Sequence, residues 1–178
     1  MNGTCHLAFG TAVVTAAAVN LEAISNIFSN IANSSEMGTL LILGGIVGSL
    51  LPDIDAPQSY VGKLCFPVSH VFGRLRKMQG KEEWQHRGIM HDAAIYIAGL
   101  ILSYLYFSPL IGLFIGCLTH IFLDMFNPMG VPFLLGVKRL RIAKIKSGEK
   151  GAILFTGMCT AAVLLLGIGI KLLPTMNM

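Results

Sequence analysis

Charge is the scarcest commodity in this chain. Only 12% of its 178 residues are Asp, Glu, Lys or Arg, about half the share of an ordinary soluble domain, so much of the surface lacks a polar coat and lipid is the expected solvent. Aromatics are few as well, at 8% with one tryptophan, and they do not interleave with basic residues as a stacking surface for bases would. No nucleic-acid partner is expected. Cys5, Cys65, Cys117 and Cys159 are dispersed with no CxxC pair, which excludes a small disulfide framework and predicts reduced thiols. Cys5 is singled out only because it adjoins His6. The opening MNGTCHLAFG has no basic segment ahead of its apolar residues, which argues against a cleaved signal peptide and keeps His6 in the mature chain.

What is abundant is apolar residues, 54% of the chain, with a mean hydropathy of +0.70. They fall into uncharged runs at Leu7–Val19, Met37–Leu51, Ala93–Leu123 and Gly151–Ile170. Only the last matches the roughly 20 residues of a conventional span. The 31-residue run from Ala93 is too long for one crossing, and Ser108-Pro109 near its middle breaks helical bonding. It reads as a helical hairpin with arms of about 15 residues, or about 22 Å, short against a hydrocarbon core of about 30 Å. Polar flanks drawn inward or thinned lipid must make up the difference.

Between the second and third runs, Val61, Leu64, Cys65, Val68, Phe72, Leu75 and Met78 recur at helical spacing among Lys63, Arg74, Arg76 and Lys77. That is the pattern of a helix lying in the membrane interface, with Pro67 expected to kink or split it. A second basic stretch, Lys138–Lys150, holds six positive charges and one negative. The expectation is one all-α domain over residues 1–178, an integral membrane bundle of about five hydrophobic helices plus an interfacial amphipathic helix. Assigning both basic stretches to the cytoplasm makes the chain a multi-pass protein of the inner membrane.

Into this background are set His6; Asp53 and Asp55 in LPDIDAP; His86, His91 and Asp92 in HRGIMHD; and His120 with Asp124 in THIFLDMFNPMG. Each group sits at the edge of an apolar run. The threading of helices by their flanking charges gathers all four groups on the cytoplasmic side, although the putting of Lys and Arg inside made no use of them. Carboxylates and neutral imidazoles together suit a hard or borderline divalent metal, Zn or alternatively Mn. His120 and Asp124, four apart on a helix, project from one face as a ligand pair, or else His120 is hydrogen-bonded inside the bundle and Asp124 caps the next segment. Asp53 and Asp55, two apart on an extended segment, would point the same way and share or bridge metals. One of them is equally a helix cap. The HRGIMHD loop offers two imidazoles, with Arg87 able to clamp an anion and Asp92 either ligand or N-cap. His70, without an acidic neighbour, reads as an interfacial histidine.

The motifs LPDIDAP, HRGIMHD and H-x3-D in this order, after an N-terminal histidine, resemble the YdjM-like family of membrane-bound metal-dependent hydrolases. The resemblance runs from His6 to about Glu149. That family is in turn distantly similar to zinc-dependent phospholipase C, a helical enzyme with a His and Asp metal cluster. The resemblance implies a metal-dependent hydrolase of the inner membrane, with ligands at His6, Asp53, His86 or His91, His120 and Asp124, and Asp55 as a further ligand or base. Two departures stand out: Met90 and Asp92 replace the hydroxyl residues of the family's HRGxTHS loop, and Asn127 stands where the family tends to have threonine.

The function these residues favour is metal-assisted hydrolysis of a phosphoester such as a phospholipid or lipid-linked phosphate. Asp55 would orient or deprotonate the attacking water, and Arg87 would hold the substrate anion. Membrane lipid is the expected partner, because the interfacial helix and the basic stretch meet anionic headgroups first. The competing readings are a divalent-metal transport protein and a non-enzymatic adaptor stapled by a metal.

Overall fold

In lipid every backbone N–H and C=O must find a partner within the protein, and for one isolated apolar segment the helix is the available solution. The computed structural model describes residues 3–78, 89–134, 138–145 and 150–172. The apolar runs are helical: α1 (Gly3–Val19), α3 (Ser35–Gly48), α6 (Ala93–Tyr106), α7 (Ile111–Asp124) and α8 (Lys150–Leu172). Shorter or amphipathic helices lie between them, α2 (Leu21–Ile27), α4 (Tyr60–Leu64) and α5 (Phe66–Met78). Short 3₁₀ turns occupy Leu51–Asp55, Ile89–His91 and Ser108–Leu110.

The fold is all-α apart from one small hairpin, and it has the five expected apolar helices, but they differ in reach. By length and composition α8 and the segment Ser35–Asp55 can each cross a membrane, and α1 with α2 is a third candidate if that pair, bent by 72°, counts as one span. The arms α6 and α7 are shorter apolar helices. Five full crossings are therefore more than helix length supports. The breaks follow local chemistry. Pro109 sits in the 3₁₀ turn that separates α6 from α7. The amphipathic stretch is split, α4 ending at Leu64 and α5 starting at Phe66, so that Pro67 falls in a first turn where its missing N–H costs nothing. Ser34 and Ser59 cap α3 and α4, accepting from the backbone N–H of Met37 and Gly62.

Glycine sets how closely the helices approach. A Cβ at Gly48 would lie 2.0 Å from the Leu113 carbonyl oxygen, and one at Gly116 would lie 2.3 Å from that of Gly45. The backbones of α3 and α7 are thus in direct contact, the small-residue packing that replaces the hydrophobic effect between helices in lipid. Gly10 lets α1 close on side chains instead: a Cβ there would lie 2.5 Å from Ser49 Cβ. On the outer side α8 runs parallel to α1, with Gly167 against Ala16, Asn20 Nδ2 donating to the Gly167 carbonyl at 2.8 Å and Lys171 Nζ to that of Val19 at 3.4 Å.

After α7 the chain turns through Asn127-Pro128 and Gly130, whose φ of +62° is in the left-handed region that glycine adopts freely. It then forms an antiparallel pair, β1 (Val131–Phe133) with β2 (Lys138–Leu140). The basic stretch gave no sign of this hairpin. Val131 packs into a core with Ala93, Tyr96, Cys117 and Ile121, and the segment beyond β2 is tied back to the end of α7 through Ile142 N to Met125 O at 2.8 Å and Ile145 N to Phe126 O at 2.7 Å.

Candidate metal centre

The start of α1, the turn after α3, the turn before α6 and the end of α7 meet at one end of the bundle, and each brings a histidine or aspartate. His6 Nε2 lies 3.4 Å from Asp124 Oδ1. Asp124 Oδ2 lies 3.7 Å from His91 Nε2 and 3.8 Å from His120 Nε2. Asp53 Oδ1 lies 3.5 Å from His91 Nε2 and 3.6 Å from His120 Nε2. The rings of His6 and His120 stack with centroids 3.7 Å apart, and His91 meets His120 edge-on at 5.4 Å. Two overlapping donor groups result, His6 with His120 and Asp124, and Asp53 with His91 and His120.

These separations fit ligands better than hydrogen bonds. Good N–H···O bonds span about 2.7–3.2 Å, whereas donors about 2.0–2.2 Å from one tetrahedral ion lie roughly 3.3–3.6 Å from each other. His120 supplies the sharpest sign. Its Nδ1 lies 2.7 Å from the Ser49 carbonyl oxygen, which can only accept, so Nδ1 carries the proton and Nε2 presents a bare lone pair. That Nε2 is buried without a hydrogen-bond partner, a costly condition for a polar atom unless an ion takes the lone pair. The residues present therefore fit a divalent metal. His6, His91, His120 and Asp124 are almost wholly buried, and Asp53, its side chain 25% exposed, is the donor nearest to the outside.

The family model described as YdjM inner membrane protein matches residues 1–174. The chain belongs to the YdjM inner membrane protein family. Its relatives include inner membrane protein YdjM of Escherichia coli (strain K12) and of Shigella flexneri, each 34% identical over 106 residues, which cover 53% of this chain and 48% of the relative. The match thus spans about half the length of those curated relatives. No solved structure matches the chain. With its apolar helices, membership of the YdjM family makes this an inner membrane protein.

Within this YdjM-family chain the remaining site residues fall in different places. The segment bearing Asp53 and Asp55 is a 3₁₀ turn rather than extended, begun by Pro52. At three residues per turn, positions two apart diverge instead of aligning. Asp53 accordingly faces the Nε2 side of His91, while Asp55 Oδ1 lies 3.6 Å from His91 Nδ1, behind the ring. His86 and Arg87 lie outside the described residues. Asp92, for which ligand and cap were both open, caps α6 by accepting from Ala94 N at 2.9 Å. His70 is exposed on α5 with its ring 5.4 Å from that of Phe66, away from the donor groups. Cys5 is in neither group, and among the described residues the four cysteines form no disulfide.

Two contributors escaped the sequence reading. Tyr96 is buried on α6 and its hydroxyl donates to the Met90 carbonyl at 2.5 Å, clamping the turn that carries His91. A tyrosine one turn into an Ile- and Leu-rich helix, apart from the Tyr104 and Tyr106 at its far end, was the available signal, since a buried phenol needs an acceptor. Ser49 acts through its backbone carbonyl, which leaves no trace in residue identity.

Proposed function

We propose that this chain is a multi-pass, metal-dependent hydrolase of phosphoesters such as phospholipids or lipid-linked phosphates, and that His6, Asp53, His91, His120 and Asp124 hold its divalent ion, zinc or manganese. The observation that carries the reading is the bare, buried Nε2 of His120 among imidazoles and carboxylates from four separate segments. A divalent ion bound there would supply Lewis acidity, lowering the pKa of a water toward neutrality and offsetting charge on the phosphoryl oxygens. Hydrolysis then forms one P–O bond to the water oxygen as the ester P–O bond breaks, the alcohol leaving with a proton. Asp55, whose Oδ1 lies 3.6 Å from His91 Nδ1, is placed to bias that ring electrostatically, the separation being too long for a good hydrogen bond. Arg87, which lies outside the described residues, is the candidate for the substrate anion from its sequence motif.

Membrane side is inferred from charge. Lys63, Arg74, Lys138, Arg139, Arg141, Lys144 and Lys150 belong to the segments at the site's end, and Lys171 to the opposite one. The positive-inside rule therefore turns the site to the cytoplasm. Collection of all donors at one end disfavours a transport pathway, which needs polar groups through the midplane. A structural metal is favoured instead by the near-complete burial of four of the five donors, and a closed coordination shell is its signature.

Metal analysis of the purified protein tests the reading. Because His120 offers one free nitrogen to both donor groups, one ion per chain is expected, and His120→Ala should lose it. Release of headgroup or phosphate from a lipid panel should vanish in the same variant. Stoichiometric metal with no exchangeable water and no turnover would establish the structural role; stoichiometric metal retained by His120→Ala would remove the site altogether.

A further inference from the structure

Lys150 is the first residue of the candidate span α8 and its only charge before Lys171; with Lys150 taken as the membrane boundary, the parallel packing of α8 on α1 measures how far inside it the donors lie. Ala16 faces Gly167, so His6, ten residues before Ala16, is level with Gly157, ten before Gly167. A second contact gives the same register independently: Phe126, two residues past Asp124, meets Phe155 with ring centroids 4.7 Å apart. From Lys150 to Gly157 is seven residues, or about 10 Å at the helical rise.

The outer surface at this level is apolar on several sides. Phe122 between His120 and Asp124, Val47 just before Ser49, Ile95 near the start of α6, and Leu154 and Met158 on α8 all present exposed side chains. Polar chemistry enclosed by such a belt lies among acyl chains, below the plane of the headgroups. Among the described residues at this end, the basic side chains lie on α4, α5 and β2, just after β2 and at the first residue of α8.

We infer that the donor cluster lies about 10 Å inside the membrane boundary, and that its substrate is an amphiphilic phosphoester that enters sideways from the bilayer rather than a soluble phosphate that docks from water. The depth rests on helix register and on Lys150 as the boundary of α8; the substrate rests on the phosphoester reading. A diacyl or polyprenyl chain stays in lipid while its phosphate moves down to the donors, and that movement is cheaper than drawing a fully hydrated solute through the apolar belt.

Two measurements on proteoliposomes decide it. With Cys65 and Cys159 replaced by serine, a bimane placed at Phe122→Cys should be quenched by lipids carrying mid-chain nitroxides and shielded from iodide, and one at Lys144→Cys should show the reverse. Met158→Cys reports the same level should Phe122→Cys fail to fold. Equal iodide quenching at the deep and basic positions would overturn the depth. In the second measurement a vesicle-borne diacyl phosphoester should be cleaved roughly tenfold or more faster than para-nitrophenyl phosphate. Equal or faster cleavage of the soluble ester would overturn lateral entry. Deep labels with no cleavage of either would leave the depth standing and overturn both the substrate assignment and the hydrolase reading.

Discussion

His91 has carboxylates near both nitrogens, Asp53 and Asp124 at 3.5 and 3.7 Å from Nε2 and Asp55 at 3.6 Å from Nδ1. The two aspartates of LPDIDAP thus face different nitrogens of His91, and backbone geometry decides which faces which. Their residue types were enough to nominate both; whether they align or diverge depends on the 3₁₀ turn that Pro52 starts, and an extended segment was the wrong expectation. His6, His120 and Asp124 were legible because spacing and flanking charge alone bring them together, whereas Tyr96 and the Ser49 carbonyl act through contacts that no pattern encodes. Asp55→Asn is expected to weaken metal affinity by about 10–100-fold without abolishing binding, the usual effect of losing a carboxylate behind a ligating histidine. Chelator competition on detergent-purified protein measures this. A complete loss, equal to that of His120→Ala, would instead make Asp55 a direct ligand.

Among elements, the helix boundaries were largely legible, since proline and serine act locally: Pro109 parts α6 from α7, Pro67 falls in the first turn of α5, and Ser59 starts α4. The β1–β2 hairpin was not, because its strands have three residues each and are anchored by the packing of Val131 against α6 and α7 rather than by their own propensity. Helix contact was not legible either, as exposed and packed glycines look alike in sequence. Gly48 has the Leu113 carbonyl where its Cβ would go, and Gly157 has nothing within 4 Å. Gly48→Ala should destabilise the protein by about 1–3 kcal/mol or more through overpacking, and it should release metal because the Asp53 turn follows α3 directly. Gly157→Ala should leave stability unchanged or slightly raised. Thermal unfolding in detergent, read beside metal content, separates the two.

For the whole molecule, the four distant segments do meet at one end of the bundle, as threading by flanking charge led one to expect, although that threading assumed five crossings where helix length supports two or three. Depth was not legible, since it depends on the register of α8 against α1, set by the Gly167–Ala16 contact. Orientation follows from charge in a way that can be checked directly. Lys144 lies beyond β2 at the donor end, and Lys171 closes α8 at the other, beside the end of α1. In intact inner-membrane vesicles of known sidedness, a membrane-impermeant thiol reagent should reach Lys144→Cys only from the cytoplasmic face and Lys171→Cys only from the opposite one. Labelling of both from one face would mean that α8 does not cross, and the register used to place the donors would then describe a bundle lying along the membrane. Reversed labelling would keep the crossing and the depth but turn the donor end away from the cytoplasm, so that any lipid it acts on would come from the outer leaflet.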